Sequence, residues 1–169
     1  DITTKDKSLI DGTAIASENG QILRDLKDAS LVVNTPRSQV VSSFFQNKKS
    51  FETNDMSIAI DGQFATVALS SPSDKPISQS DKLYLIVVGR AENTGFSYSF
   101  ARNKAIARGQ GPILTDHIDA QISIRTANPA LKVIPLSTTG EKLPAIPSKY
   151  EDGRLSFTTS ADTIYYIIE

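Results

Sequence analysis

Apolar residues occur in short runs rich in Val, Ile, Phe, Tyr and Thr, and clusters of Gly, Pro, Asn and Asp separate these runs. Helical spacing of the apolar positions is almost absent, whereas period-two alternation is frequent, which is typical of β-strands. The pattern predicts about ten strands, at Leu31–Asn34, Gln39–Phe45, Ser57–Ile60, Phe64–Ser70, Leu83–Gly89, Gly95–Ala101, Ala120–Arg125, Leu131–Leu136, Arg154–Thr158 and Thr163–Ile168. Their spacing of roughly 8 to 12 residues predicts an all-β fold, an antiparallel β-sandwich of jelly-roll type.

Turn residues divide the strands. Asp61-Gly62 is predicted to join two strands as a hairpin, and Asp152-Gly153 to precede a strand of another, because both residue types tolerate the positive φ of tight turns. Two longer stretches, Ser70–Lys82 and Thr138–Gly153, are predicted to be surface connections.

The length of 169 residues predicts a single domain spanning 1–169. Within it, residues 1–20 are expected to be either a linker or a peripheral strand. A helical turn is expected only near Ser73–Ser80 or Arg102–Ala107. Because the chain begins at Asp1 without Met, we expect it to be either a processed product or a piece of a longer polypeptide, and we favour the piece.

Charge and hydropathy disfavour two classes of partner. The formal net charge is −1 and acidic and basic residues are mixed along the chain, so no basic stripe is available for a nucleic-acid backbone. The longest apolar run, Leu83–Val88, is far shorter than the roughly 20 residues of a membrane-spanning helix. We therefore predict neither nucleic acid nor membrane as a partner.

Catalytic and metal-binding patterns are weak. Cysteine is absent and His117 is the only histidine, with no nucleophile motif around it, so no catalytic residue is predicted. Asp116, His117 and Asp119 offer oxygen and nitrogen ligands without the spacing of a zinc or calcium loop. No cofactor is predicted, and a structural Ca²⁺ held partly by backbone carbonyls stays open as an alternative.

Three aromatic residues, Phe96, Tyr98 and Phe100, alternate with serines, which places their rings on one face of a strand. Two interpretations exist: the rings fill the core, or they form a platform for the apolar face of a sugar. We favour the core, because Phe has no polar group and the chain contains no Trp, the residue that sugar platforms most often use together with Tyr.

A polar cluster follows the buried run Leu83–Val88. Arg90 and Glu92 are predicted to pair with each other and order a loop that turns at Asn93–Gly95. The functional alternative is that Arg90, Glu92 and Asn93, together with Tyr98, bind sugar hydroxyls or a neighbouring domain. These four residues are the candidate ligand-binding set.

Three blocks carry a resemblance to a known family: LVVNTPRSQVV (31–41), FATVALSSPSDKPISQSDKLYLIVVGRAENTGF (64–96), and a closing section that begins LKVIPLSTTGEKLP and ends DGRLSFTTSADTIYYIIE (131–169). They resemble the β-sandwich domain that follows the (β/α)₈ catalytic barrel in some bacterial glycoside hydrolases. The resemblance runs from about Gln21 onward, and its most particular motifs are NTPRSQ, GRAENTG and the VIPLSTTGEK hairpin.

The resemblance implies a non-catalytic accessory domain, secreted or at the cell surface, which packs on the catalytic barrel of the same polypeptide and contacts polysaccharide. The family's catalytic carboxylates lie on the barrel. Tyr165-Tyr166 departs from the Trp expected beside the final Tyr. Two other hypotheses stay open: a free-standing carbohydrate-binding module that uses the candidate set, and a hydrolase with two carboxylates roughly 5 to 10 Å apart.

Overall fold

The computed structural model describes residues 9–10, 13–46, 48–62, 64–159 and 163–169, and within these residues the fold is all-β. The strands are β1 (Leu9–Ile10), β2 (Ala14–Ala16), β3 (Ile22–Asp25), β4 (Ser30–Asn34), β5 (Ser38–Phe44), β6 (Ser50–Glu52), β7 (Met56–Ile60), β8 (Phe64–Ser70), β9 (Leu83–Val88), β10 (Ala91–Tyr98), β11 (Ala105–Thr115), β12 (Ala120–Arg125), β13 (Val133–Leu136), β14 (Ser148–Glu151), β15 (Arg154–Thr158) and β16 (Tyr165–Ile168). One turn of 3₁₀ helix, Ile77–Gln79, lies inside the predicted range 73–80. The described residues contain no helix with the length and apolar character of a membrane span.

The strands form two large antiparallel sheets and one separate pair. One sheet has nine strands in the order β1-β2-β3-β4-β5-β8-β9-β16-β13, the other has five in the order β14-β15-β12-β7-β6, and β10 pairs with β11. The predicted antiparallel β-sandwich is confirmed. The structure adds strands that the sequence pattern missed: β1 to β3, β6, β11 and β14. Of the range 1–20, the described part forms β1 and β2 at the edge of the larger sheet.

A single hydrophobic core lies between the two large sheets. Val67 and Leu85 of the nine-stranded sheet and Ile58, Ile122 and Leu155 of the five-stranded sheet are all at most 2% exposed and belong to one cluster. Successive side chains of a strand point to opposite faces, so the alternating apolar residues of each strand reach this core together. Burial of this apolar surface is the main favourable term in the stability of the sandwich.

The two Asp-Gly pairs have different roles. Asp152-Gly153 closes the two-residue hairpin between β14 and β15, with φ of 50° and 76°, as expected for a turn with two positive φ angles. The prediction that Asp61-Gly62 joins a hairpin is wrong, because β7 lies in the five-stranded sheet and β8 in the nine-stranded sheet. This pair instead carries the chain from one layer of the sandwich to the other.

The expectations for two connections also change. The stretch 138–153 contains β14, so its last residues belong to a sheet and not to a surface loop. The alternative helical turn at 102–107 is wrong, because β11 begins at Ala105. The residues before it form a tight turn, in which Ser99 N donates to Lys104 O at 2.8 Å.

A buried polar network links the two sheets near one edge. Gln39 of β5 is fully buried, and its Nε2 donates to Asp55 Oδ2 at 2.8 Å, just before β7. Gln39 Oε1 accepts from Thr53 Oγ1 at 2.6 Å, and Arg125 Nε donates to Asp55 Oδ1 at 3.2 Å. Every polar atom of the Gln39 side chain therefore has a partner, which offsets the cost of burying it.

Candidate functional site

The candidate residues lie on a two-stranded arm, which we define as residues 91–115, comprising β10, β11 and the turn between them. β10 and β11 pair antiparallel with each other, and neither belongs to one of the large sheets. At about 3.3 Å per residue, the eight residues of β10 extend over roughly 26 Å. Most of the residues of both strands are exposed. The arm is thus a projection from the sandwich and not one of its layers.

An ion pair holds the base of the arm. Arg90 Nε donates to Asp116 Oδ2 at 3.0 Å, and Asp116 N donates to Arg90 O at 2.9 Å. The hydrogen bond lowers the pKa of Asp116 below its ordinary value of 3.8 and raises the pKa of Arg90. The predicted pairing of Arg90 with Glu92 is wrong: Glu92 lies opposite Leu114, and its charge is only a lesser cause of the raised pKa of Arg90.

From Ala91 onward the GRAENTG motif lies in strand β10, which has a bulge between Asn93 and Thr94, so the predicted turn at Asn93–Gly95 is wrong. Between Asn93 and Thr94 the register shifts, and Thr94 Oγ1 donates to Pro112 O at 2.7 Å. Gly109, with φ of 61°, lies against this bulge, and a Cβ there would be 2.3 Å from Thr94 O. The close approach of the two backbones therefore requires glycine at this position.

Three of the four candidate residues lie around one cavity. Arg90, Glu92 and Asn93 line a concavity of about 260 Å³ at the base of the arm, which we call the basal cleft. Phe96 also lines it, and the Tyr98 ring packs on Phe96 with the centroids 4.7 Å apart. The cleft thus combines a guanidinium, a carboxylate and an amide beside an aromatic ring, groups that can bind hydroxyls or polar side chains.

The prediction that Phe96, Tyr98 and Phe100 fill the core is wrong. Tyr98 is 41% exposed, Phe100 is fully exposed, and Phe96 is only half-buried, because neither of the two large sheets formed by the described residues covers the arm. The Phe96 and Tyr98 rings are inclined by 61°, and the Arg102 guanidinium lies 5.1 Å from the Tyr98 ring. These rings do not form the flat platform on which a sugar ring would stack.

A trough that the sequence pattern did not predict crosses the outer face of the five-stranded sheet. Three concavities of about 830, 440 and 300 Å³ adjoin along the strands and share lining residues. The floor consists of short side chains, Ser57, Ser123 and Ser156, and Arg154 donates to Ser57 Oγ at 2.8 Å and to Ser123 Oγ at 2.9 Å. The available signal was one serine at an outward position in each of three strands, but the adjacency of these serines comes only from the register.

The outer face of the nine-stranded sheet carries a continuous apolar row, beside polar positions such as Ser42 and Thr66. One row of neighbouring residues, defined here as the apolar face, crosses seven strands: Ile22, Val33, Val40, Ala68, Ile86, Tyr165 and Leu136. All seven are half-buried or exposed, and Ile22 is 45% exposed. Tyr84 and Val88 continue this surface on β9. The outer positions of an antiparallel sheet are polar where they face water, so this surface departs from the usual pattern.

The region around His117 offers no metal site. His117 Nε2 lies 2.9 Å from Asp119 Oδ1, and Asp116 is engaged by Arg90. Across the described residues, no group of three or more His, Cys, Asp or Glu side chains is arranged to hold a metal ion. A structural Ca²⁺ bound partly through backbone carbonyls stays a prediction.

Comparisons with protein-family models, with curated proteins and with solved structures found no match. The resemblance to the accessory sandwich of bacterial glycoside hydrolases therefore stays a prediction. The expectations of a catalytic barrel in the same polypeptide, of polysaccharide contact and of secretion stay predictions as well.

Proposed function

We propose that this chain is a non-catalytic accessory β-sandwich of a secreted or surface polysaccharide-degrading glycoside hydrolase, and that it packs on the catalytic domain of the same polypeptide. The observation that carries the proposal is the apolar face. It is a contiguous row of half-buried and exposed apolar side chains that reaches the surface, and apolar surface patches mark interaction sites. The GRAENTG and VIPLSTTGEK motifs, with their resemblance to accessory sandwiches, support the choice of this kind of enzyme.

The contrast between the two outer faces supports this proposal. The five-stranded sheet presents short polar residues such as Ser123 and Ser156 outward, as expected for a face in water. The nine-stranded sheet presents Val40, Ile86 and Tyr165. With strands about 4.8 Å apart, a row across seven strands spans roughly 29 Å, enough for a standard interface of about 800 Å² per partner.

The test measures association of this chain with the catalytic domain encoded in the same polypeptide, both purified separately, by isothermal titration calorimetry. Ile86→Lys combined with Tyr165→Lys places two charges on the apolar face and should weaken binding at least tenfold. Gln121→Lys with Thr158→Lys, on the outer face of the other sheet, is the matched control. Thermal unfolding of both variants establishes that they remain folded. Equal affinity of the two variants would contradict the proposal.

A second candidate, a carbohydrate-binding module, is favoured by the trough. From Asp119 to Arg125 the trough follows β12 for roughly 20 Å, long enough for several sugar units, and Gln121, Glu52 and Arg125 supply hydrogen-bonding groups along it. Affinity gel electrophoresis against β-glucans, mannans, xylans and agar tests this function. Ser123→Tyr fills the trough and should abolish retardation, whereas Ser38→Tyr on the other sheet should not. Absence of retardation on every glycan would eliminate this candidate.

A further inference from the structure

The arm exposes more large apolar side chains than its own pairing can bury. Phe100, Ile106, Ile113 and Leu114 are each more than half exposed: Ile113 and Leu114 lie on β11 at the base of the arm, Ile106 lies on β11 near the tip, and Phe100 lies in the turn. A two-stranded hairpin is at best marginally stable in water on its own. Exposed apolar residues along the whole arm therefore favour a function in which a partner covers it.

The arm is also cationic. Between Arg90 and Thr115 the sequence has four basic residues and one acidic residue, Glu92. Arg90 is neutralised by Asp116, but Arg102, Lys104 and Arg108 form no ion pair within 4.0 Å with any carboxylate of the described residues. A surface that is complementary to the arm must therefore be acidic as well as apolar.

We propose that the arm is a clasp, which lies in an apolar channel flanked by carboxylates on the neighbouring catalytic domain. The inference rests on the proposed function and names the chemistry of its partner surface. Phe96, Tyr98 and Phe100 fill the channel, while Arg102, Lys104 and Arg108 pair with the carboxylates at its rim.

The arm and the apolar face are continuous, so one partner can contact both. Ile113 of the arm, Val87 of β9 and Tyr165 of the apolar face line one concavity of about 220 Å³. The base of the arm therefore lies at the margin of the surface proposed to pack on the catalytic domain. A domain seated on Tyr165 is in reach of Ile113 and of the rest of the arm.

The distribution of apolar residues favours a protein channel over a lipid surface. An element that binds at a lipid surface buries its apolar side only about 5–10 Å deep. A hairpin that inserts by its tip would therefore have its apolar residues at the tip and not at its base. Here Ile113 and Leu114 lie at the base of the arm, whereas Phe96 and Tyr98 lie in the half of β10 nearer the tip, with Tyr98 as its last residue. Contacts along the full length of the arm require a partner that runs beside both strands.

The experiment is limited chymotrypsin digestion of the native polypeptide that contains both domains, with cleavage sites mapped by mass spectrometry. Phe96, Tyr98 and Phe100 are chymotrypsin sites within the arm. Docking should protect them. Combined Arg102→Glu, Lys104→Glu and Arg108→Glu should make nicking of the arm roughly tenfold faster, because like charges then face the carboxylates. Raising NaCl to about 1 M should accelerate nicking of the wild type as well.

The matched control reverses three cations elsewhere on the sandwich, Arg37→Glu, Lys49→Glu and Lys149→Glu, and should leave nicking of the arm unchanged. Rapid nicking of the wild-type arm, or equal rates in both triple variants, would overturn the clasp. Protection of this chain by phosphatidylserine vesicles and not by the catalytic domain would overturn it in favour of a membrane. If the apolar face still binds the catalytic domain while the arm is cleaved rapidly, the clasp is overturned and the proposed function stands. If the native polypeptide contains no second domain, the clasp and the proposed function are both overturned.

Discussion

Strands β12 and β10 both alternate apolar and polar residues, but the apolar residues of β12 are buried and those of β10 are largely exposed. In β12 the sequence AQISIR buries Ile122 and Ile124, because β7 and β15 flank this strand and the nine-stranded sheet faces it. In β10 the alternation of Phe96 with Ser97 continues to Tyr98, yet among the described strands β10 pairs with β11 alone, and Tyr98 is exposed. Alternation therefore marks which residues share a face, but it does not reveal whether another layer covers that face.

The same contrast predicts two levels of stability. The residues of the sandwich form one core cluster and should unfold together. The arm has few buried apolar contacts and should open locally, with a free energy well below that of global unfolding. Substitutions that separate the two levels test this comparison.

The largest effect is expected in the core. Ile122→Ala should lower the free energy of unfolding by about 2–5 kcal/mol, because it leaves a cavity between the two sheets. Phe96→Ala should cost less than about 1 kcal/mol, since this ring is only half-buried on the arm. Guanidinium chloride unfolding measures both, and similar losses for the two variants would mean that the arm belongs to the cooperative unit.

The next effect concerns the buried polar network. Gln39→Leu removes the amide that bonds Asp55 and Thr53, and it should cost about 2–3 kcal/mol because the Asp55 carboxylate loses a buried donor. Gln121→Leu, on the exposed face of β12, is the control and should change stability by less than about 0.5 kcal/mol. Urea unfolding measures the free energy of unfolding of both variants. Equal decreases in the two would show that the polar network adds nothing to stability.

A local effect is expected at Gly109. Gly109→Ala introduces a Cβ that would collide with Thr94 O, so it should disrupt pairing around the bulge. Hydrogen exchange of the β10 and β11 amides should become faster, while the free energy of global unfolding stays within about 0.5 kcal/mol of the wild type. Gly111→Ala, which meets no atom within 4 Å, should leave exchange in the arm unchanged. Loss of global stability in Gly109→Ala would contradict the separation of arm and body.

The smallest effect is expected from pH, because Arg90 and Asp116 are partly solvated. The folded pKa of Asp116 lies below its ordinary value of 3.8, so the pair stabilises the arm base above that value and is lost as pH falls through the lower folded pKa. Hydrogen exchange at the arm base, corrected for intrinsic rates, should therefore accelerate in acid. Asp116→Asn should remove this pH dependence of exchange, whereas the control Asp152→Asn should retain it. Identical exchange-against-pH profiles in the two variants would refute the assignment of the dependence to the Arg90–Asp116 pair.

The candidate site could be predicted only in part. Proximity in sequence brought Arg90, Glu92 and Asn93 to one cleft, as neighbouring residues must lie close together. Asp116, the actual partner of Arg90, is 26 residues away and meets it only because β11 returns along β10. The trough and the apolar face were missed for the same reason, since the residues of each come from strands distant in sequence.

By itself, the sequence determined the all-β class, most strand positions and the two-residue turn at Asp152-Gly153, because alternation and turn chemistry act between near neighbours. Tertiary structure alone decided which faces are covered. It buried Ile122 and exposed Tyr98, and it made Asp61-Gly62 a crossing between layers. The physical reason is that burial depends on which strands pair and which sheets stack, and those long-range contacts are not encoded in any local pattern.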